Sequence, residues 1–185
     1  SEEGNRIVTL TNSGTLTVWD VVHRPDGGFI LSRGVSVDSR IGQKETQQVV
    51  FSQDGASIWT ASDELLARWS VDHLRHIESV SMGTIRGQGL KRIPGSSTLV
   101  VAGRHPAKGS YLIFYEPTRK RATLLEVERN YQPSISFSAD GRLLFTSIVH
   151  QLRRRDIPDA SAFTDAGQVL SLVRPAPPVA AVSKP

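Results

Sequence analysis

The chain has 185 residues, of which 38% are hydrophobic and 22% charged, a balance typical of one soluble globular domain or of part of a larger repeat array. It contains no Cys, which excludes disulfides, thiolate nucleophiles and Cys-based zinc sites and suits the cytoplasm. No apolar run approaches the roughly 20 residues that span a bilayer, and the N-terminal sequence lacks the pattern of a secretory signal. The net charge of +4 is uneven, since residues 1–82 carry 7 Lys/Arg against 11 Asp/Glu and residues 83–185 carry 15 against 7. We therefore expect any attraction to acidic partners to reside in the second half.

Four related segments follow one another along the chain. In order they read "SEEGNRIVTLT", "FSQDGASIWTAS", "IPGSSTLVVAG" and "FSADGRLLFTSI". A second apolar segment follows each of them, reading "LTVWDV", "LARWSV", "LIFYEP" and "LRRRDI" in turn. Anchored on Val18, Arg68, Ile113 and Arg154, these second segments lie 50, 45 and 41 residues apart, a spacing typical of four-stranded propeller blades.

Each repeat predicts the same succession of strands. An alternating apolar stretch such as "QQVVFS" or "PSISFS" is typical of an innermost strand, and the Asp-Gly pairs at Asp54-Gly55 and Asp140-Gly141 predict a tight turn after it. A β-rich strand such as "SIWTAS" follows, then the "VWDV"-type third strand, then a less regular fourth strand. Helical periodicity is not sustained, so we expect an all-β fold.

The stretch "VTLTNSGTLTVWDV" (Val8 to Val21) resembles the WD-repeat β-propeller family, with Trp19-Asp20 as its signature dipeptide. The resemblance extends over nearly the whole chain, although later repeats carry Trp69-Ser70, Tyr115-Glu116 and Arg155-Asp156 at that place and the family's Gly-His pair is absent. It implies a β-propeller of four-stranded antiparallel blades that serves as an interaction scaffold.

The repeat predicts blade boundaries and an incomplete first blade. Blade one, at 1–45, lacks its innermost strand; blades two, three and four occupy 46–86, 87–130 and 131–174; and 175–185 is either the innermost strand of a further blade or a Pro/Ala-rich tail. Because "PPVAAVS" near the end aligns with "QPSISFS", the material sums to four blades displaced by one strand. Propellers typically have about four to eight blades, and four is the lower limit of that range. We therefore expect part of a larger ring, with a ring closed by one or two copies as the alternative.

Basic residues supply the candidate binding sites. Because Arg pairs in bidentate fashion with carboxylate or phosphate, they predict a surface for acidic or phosphorylated protein segments, the alternative being an ordinary solvated surface. Aromatic side chains for base stacking are sparse, which disfavours nucleic acid. The resemblance places the first group on loops between fourth and first strands or second and third strands: Arg40, Lys44, Arg86, Arg104, His105, Lys108, Arg129 and Tyr131. A secondary basic patch follows a third strand on the other propeller face: Arg119, Lys120 and Arg121.

Patterns for catalysis or metal binding are not recognised. The five His residues are scattered, the Asp-Gly pairs do not continue into calcium loops, and "GTIRGQG" lacks the closing residues of a phosphate-binding loop. Trp59, Trp69 and Phe137 occupy alternating apolar positions and are predicted to pack between blades. We therefore expect no cofactor, no metal, no catalytic residue and no membrane association.

Three functional hypotheses follow. The first is a non-catalytic scaffold or sensor, part of a larger protein, that presents loops to a protein partner and joins remaining blades of the same or another chain. The second is a half-propeller whose open edges drive dimerisation. The third, a propeller enzyme, has the least support, because the innermost strands offer few polar residues beyond Lys91 and Arg92. A catalytic domain attached elsewhere in a longer protein is compatible with the first.

Overall fold

The computed structural model describes residues 1–11, 13–39, 46–62, 64–127, 134–148 and 151–156. Every regular element within these ranges is a β-strand, so the all-β prediction is confirmed. The strands form four antiparallel sheets in which consecutive strands are hydrogen-bonded neighbours. This meander follows from the short connections, because tight turns join antiparallel strands only. Over the described ranges there is no helix that could span a membrane.

The first sheet has three strands, β1 (Arg6–Leu10), β2 (Thr15–His23) and β3 (Phe29–Asp38), in the order β1-β2-β3. No strand is paired with the inner edge of β1 among the described residues, as predicted for the first blade. Along β1, exposed Ile7 and Thr9 alternate with half-buried Val8 and Leu10. This period of two means that only one face of the sheet is covered.

The second and third sheets have four strands each. The second consists of β4 (Thr46–Phe51), β5 (Ser57–Ser62), β6 (Leu65–Ser70) and β7 (His76–Ser81). The third consists of β8 (Arg86–Arg92), β9 (Leu99–His105), β10 (Gly109–Glu116) and β11 (Arg121–Val127).

The fourth sheet has three described strands, β12 (Ser134–Phe137), β13 (Leu143–Ile148) and β14 (Gln151–Asp156). The innermost strand that the alignment of "PPVAAVS" predicts at 177–183, and the blade boundaries predicted after residues 130 and 174, lie outside the described residues.

The Asp-Gly pairs form tight turns between first and second strands, as predicted. Gly55 has a φ of 66°, a conformation that only glycine adopts without strain. The carboxylate of Asp54 accepts hydrogen bonds from the Ser52 hydroxyl at 2.5 Å and from the Ala56 N–H at 3.0 Å. The Ser52 bond is the main reason why the pKa of Asp54 lies below its ordinary value. These carboxylates therefore stabilise turns and are not arranged as cation ligands.

Successive sheets pack face to face through three apolar clusters, and the innermost strands β4, β8 and β12 follow one another. Trp69 lies in the cluster between the first and second sheets, Trp59 between the second and third, and Phe137 beside the cluster of the third and fourth. The ring centroids of Trp59 and Tyr115 are 5.6 Å apart in an edge-to-face arrangement. The packing predicted for Trp59, Trp69 and Phe137 is confirmed.

The strand register corrects one position in the repeat alignment. Leu99 pairs with Tyr115 in the third sheet as Ile58 pairs with Trp69 in the second. Phe114, and not Ile113, is therefore equivalent to Arg68. The difference matters because neighbouring residues of a strand point to opposite faces: Ile113 packs toward the second sheet and Phe114 toward the fourth.

Candidate functional site

Four of the predicted basic residues lie at one end of the third sheet, where β8 begins and β9 ends. We call them the basic edge: Arg86, Arg104, His105 and Lys108. β8 begins at Arg86, β9 ends with Arg104 and His105, and Lys108 lies in the turn before β10. The two arginines and Lys108 are exposed, whereas His105 is half-buried. Arg86 and Arg104 were predicted on loops, but they belong to strand ends because the pairing of β8 with β9 continues to the edge.

Arg86 and Arg104 are direct cross-strand neighbours. Directly opposed residues of antiparallel strands share a face and have Cβ atoms about 4.5–5.5 Å apart, and like charges in that position repel. Neither guanidinium forms an ion pair with a described residue. The sheet therefore holds two cations side by side at an electrostatic cost that a bound anion would offset.

A histidine ring fixes the turn that follows the arginine pair. The Nδ1 atom of His105 accepts hydrogen bonds from the backbone N–H groups of Ala107 and Lys108, each at 3.1 Å. Gly109, the next residue, has a φ of 117°. The two hydrogen bonds order the turn, so Lys108 is presented on a fixed backbone beside the paired strand ends.

A close approach of two backbones positions Arg86. A Cβ atom at Gly103 would lie 2.6 Å from Cγ2 of Ile85 and 2.9 Å from the carbonyl oxygen of Arg86, so only glycine fits there. The register of β8 against β9 shifts at a bulge between Gly87 and Gly89. A bulge of this kind changes which residues are opposed, and it places the two arginines opposite each other.

The structure brings together only part of the predicted site. Arg40, Lys44, Arg129 and Tyr131 lie outside the described residues, and their membership of the site stays a prediction.

The secondary basic patch lies at the opposite edge of the third sheet, after the end of β10. Arg119 pairs with Glu116 at 3.2 Å, Lys120 has a φ of 50°, and Arg121 begins β11. One of the three charges is thus already neutralised by a neighbour. The patch is separate from the basic edge, because the length of the strands lies between them.

A charged cluster between the second and third sheets was missed by the sequence analysis. Arg68 lies directly opposite Trp59 on one neighbouring strand and Glu78 on the other. Its Nε donates to the Ser57 hydroxyl at 2.9 Å, its Nη1 lies 3.5 Å from a Glu78 carboxylate oxygen, and its guanidinium carbon lies 5.8 Å from the Trp59 ring centroid. A comparison of the repeats could have identified Arg68, because the equivalent position of the first sheet holds the apolar residue Val18.

The cluster borders a cleft of about 470 Å³ at the edge opposite to the basic edge. Arg68 supplies a positive charge to this cleft and Asp54 a negative one. The mixed charge selects no single class of ligand, so we do not assign a function to the cleft. Its lining residues are Ser52, Gln53, Asp54, Trp59, Arg68, Ser97, Pro117 and Thr118.

We expect Tyr115→Phe to raise the free energy of unfolding by about 1 kcal/mol at neutral pH. The Tyr115 hydroxyl is buried without a hydrogen-bond partner, and burial, with the nearby charge of Glu78, raises its pKa to about 12. An unfolded tyrosine ionises near pH 10, but the folded one stays protonated up to about pH 12. The free energy of unfolding of the unaltered chain is therefore unaffected by this ionisation below about pH 10 and falls as the pH rises toward 12. Urea unfolding at pH 8 and pH 11 should show a larger gain for the variant at pH 11. A less stable variant would mean that the hydroxyl is bonded in solution.

Among the described residues, no three His, Asp or Glu side chains are grouped as a metal site would need.

Comparison with known proteins supports the fold. No protein-family model matches the chain, and no curated protein matches it. Among solved structures, the chain is similar to a β-propeller protein, dihydro-heme d1 dehydrogenase NirN in complex with DHE, with a TM-score of 0.60 and 16% sequence identity. The match covers 85% of this chain and 33% of that one, so this chain spans about a third of the length of that protein. The stacked antiparallel sheets and this likeness define a β-propeller fold.

Proposed function

We propose that the chain is a non-catalytic section of a larger propeller of WD-repeat type, a scaffold or sensor that binds acidic or phosphorylated protein segments at its basic edge. The observation that carries the proposal is the opposed pair Arg86 and Arg104, which is exposed and has no ion pair with a described residue. The cysteine-free sequence suits a cytoplasmic setting.

Carboxylate and phosphate groups fit this edge. A guanidinium can donate two parallel N–H···O bonds to one anion, and two neighbouring guanidinium groups can bind the same phosphate from two sides. Lys108 adds a third positive charge on the ordered turn. Because the strands hold both arginines before any partner arrives, binding loses less conformational entropy than it would on a flexible loop.

Two other functions receive less support. Nucleic acid would favour aromatic side chains among the cations, and the described residues of the basic edge include none. The dehydrogenase activity in the name of the similar structure is not proposed for this chain, because a likeness at 16% identity is one of fold. The basic edge consists of cationic side chains, which are suited to binding an anion. We therefore favour recognition of an acidic partner over catalysis.

We expect the double variant Arg86→Gln, Arg104→Gln to bind a phosphoserine peptide at least tenfold more weakly than the unaltered chain. Charge-assisted hydrogen bonds contribute about 1.5–3 kcal/mol each, which corresponds to about tenfold or more. Fluorescence anisotropy with an acidic phosphoserine peptide and its unphosphorylated form, at two salt concentrations, measures the effect. Arg119→Gln is the matched control, because Arg119 is exposed but already paired with Glu116. Equal binding by all three proteins would refute the proposal.

One of these two substitutions, made alone, should stabilise the protein although it weakens peptide binding. Arg104→Gln removes a like-charge repulsion across two strands and is expected to raise the free energy of unfolding by about 0.2–1 kcal/mol. Urea unfolding at low salt measures this gain, which should shrink as salt screens the charges. A loss of stability would mean that Arg104 has a favourable partner in solution, and the edge would then be a structural feature.

A further inference from the structure

A narrow, mainly apolar crevice lies between the second and third sheets. Both sheets have all four strands within the described residues, so the walls of the crevice are complete. Leu66 and Val80 form part of one wall, and Ile113, Ala122 and Leu124 form part of the other. The enclosed space is about 20 Å³, and a water-sized group needs about 10–15 Å³. The crevice therefore has room for the tip of one small apolar group.

Strand register explains why the crevice is open. Tyr115 in the third sheet is equivalent to Trp69 in the second, and their partners on the outermost strands are Ala122 and His76. The ring centroids of His76 and Trp69 are 5.3 Å apart in an edge-to-face arrangement. Ala122 has only a methyl group to place beside Tyr115. The third sheet therefore lacks the second ring that the second sheet has at this position.

The mouth of the crevice lies along β11. Ala122 and Leu124 both pack against the apolar cluster of the second and third sheets, yet both remain half-buried. Residues two positions apart on a strand point to the same face, so the two side chains lie side by side at the mouth. An apolar side chain from a partner can contact both of them and enter the space behind, where it gains dispersion contacts that the empty crevice lacks.

Positive charge lies at one end of this mouth. Residues 116–121 contain three cations, Arg119, Lys120 and Arg121, against one carboxylate, Glu116, a net charge of +2. Arg119 is paired with Glu116, whereas Lys120 and Arg121 form no ion pair with a described residue. Lys120 is exposed and precedes Ala122 by two residues, about 7 Å along an extended chain. That separation is within the Debye length of about 8 Å at physiological ionic strength, so an anion beside the crevice is attracted.

We infer that the crevice binds a short segment of an acidic protein partner, in which a leucine-like side chain fills the space beside Ala122 and a carboxylate lies near Lys120. The apolar crevice supplies contact, and the charged turn selects the acidic segment. An extended peptide also advances about 7 Å in two residues, so an acidic residue two positions from the apolar one matches the separation of Lys120 and Ala122. The charged turn lies at the other end of the third sheet from the basic edge, so this is a second and independent binding site.

Fluorescence anisotropy with labelled peptides tests the site on the unaltered chain. Peptides containing Asp-Asp-Ser-Leu and Leu-Ser-Asp-Asp cover both chain directions. We expect at least one to bind about tenfold more tightly than the same peptide with Ser in place of Leu, because burial of a leucine side chain has an effect of this size. Replacing both Asp by Asn should weaken binding severalfold at low salt, and this difference should shrink as salt is added. Binding that depends on neither Leu nor Asp, or no binding at all, would overturn the inference, and binding that depends on Leu alone would contradict an acidic partner.

Two protein variants locate the peptide. Ala122→Val fills the crevice from within, and a β-branched residue suits a strand, so we expect an unchanged far-UV circular dichroism spectrum, an equal or higher urea midpoint and about tenfold weaker peptide binding. Lys120→Gln should weaken binding about threefold for the Asp peptides and leave the Asn peptides unaffected. A folded Ala122→Val variant that binds like the unaltered chain would mean that the leucine side chain lies elsewhere.

The double variant Arg86→Gln, Arg104→Gln is the matched control, because it removes charge from the basic edge and leaves the crevice intact. It should bind the Asp and Leu peptides as tightly as the unaltered chain does, although it is expected to lose affinity for the phosphoserine peptide. Loss of both affinities in this variant would place the Asp and Leu peptides at the basic edge and overturn the inference. The two binding sites are therefore confirmed or refuted separately.

Discussion

Trp69→Ala is expected to lower the free energy of unfolding by about 3–5 kcal/mol. The indole is 4% exposed between the first and second sheets, and its Nε1 donates to the Thr60 hydroxyl at 3.0 Å. The substitution opens a cavity and removes the partner of a buried hydroxyl. Since a domain of this size is stable by about 5–15 kcal/mol in total, the loss is a large fraction. Urea unfolding followed by circular dichroism measures it.

The control for this substitution is the equivalent residue of the first sheet. Trp19→Ala should reduce the free energy of unfolding by less than Trp69→Ala does, by about 1–2 kcal/mol, because the Trp19 indole is only partly buried. If the two alanine variants lose equal stability, Trp19 is buried as deeply in solution as Trp69.

Gly103→Ala should destabilise the protein by about 1–3 kcal/mol and weaken binding of the phosphoserine peptide. The added methyl group would meet the Arg86 carbonyl at 2.9 Å and the Ile85 side chain at 2.6 Å, so β8 has to move and Arg86 moves with it. Urea unfolding and peptide anisotropy measure the two effects.

Gly89→Ala is the matched control, because its added Cβ would lie 3.4 Å from the Ala102 Cβ, an ordinary contact. We expect its stability to stay within about 1 kcal/mol of the unaltered chain. A Gly103→Ala variant that behaves like Gly89→Ala would show that the strand separation is not tight in solution.

The strands and their turns could be predicted because their determinants are local. Alternation along "SIWTAS" and the Asp54-Gly55 pair depend on residues only a few positions apart, and both appear in the structure as β5 and the turn before it. The anchor at Ile113 lies one residue before the position that the match of Tyr115-Glu116 with Trp69-Ser70 requires, and β10, buried at seven successive positions, has no alternation that would reveal the difference.

The basic edge could be predicted only in part. Residue type identified Arg86 and Arg104 as cations of one propeller face, but their direct opposition depends on the bulge between Gly87 and Gly89 and on the closeness that Gly103 permits. Both features are relations between two strands, and no property of either segment alone specifies them.

The cluster around Arg68 was missed for a related reason. An arginine within "LARWSV" reads as an exposed residue, and only the packing of the third sheet against the second turns it into a half-buried group paired with Glu78. Comparison of the repeats position by position would have identified it, because neither Val18 nor Phe114 can carry a charge there.

The unequal burial of the tryptophans gives the protein an optical reporter that needs no label. The chain contains three Trp residues, and Trp59 and Trp69 are buried, whereas Trp19 is partly exposed to water. The long-wavelength side of the emission spectrum therefore belongs to Trp19, and acrylamide or iodide in solution reaches mainly that ring. Binding of another polypeptide over Trp19 will shift this emission toward the blue and protect it from quenching. Fluorescence can therefore follow such binding in real time.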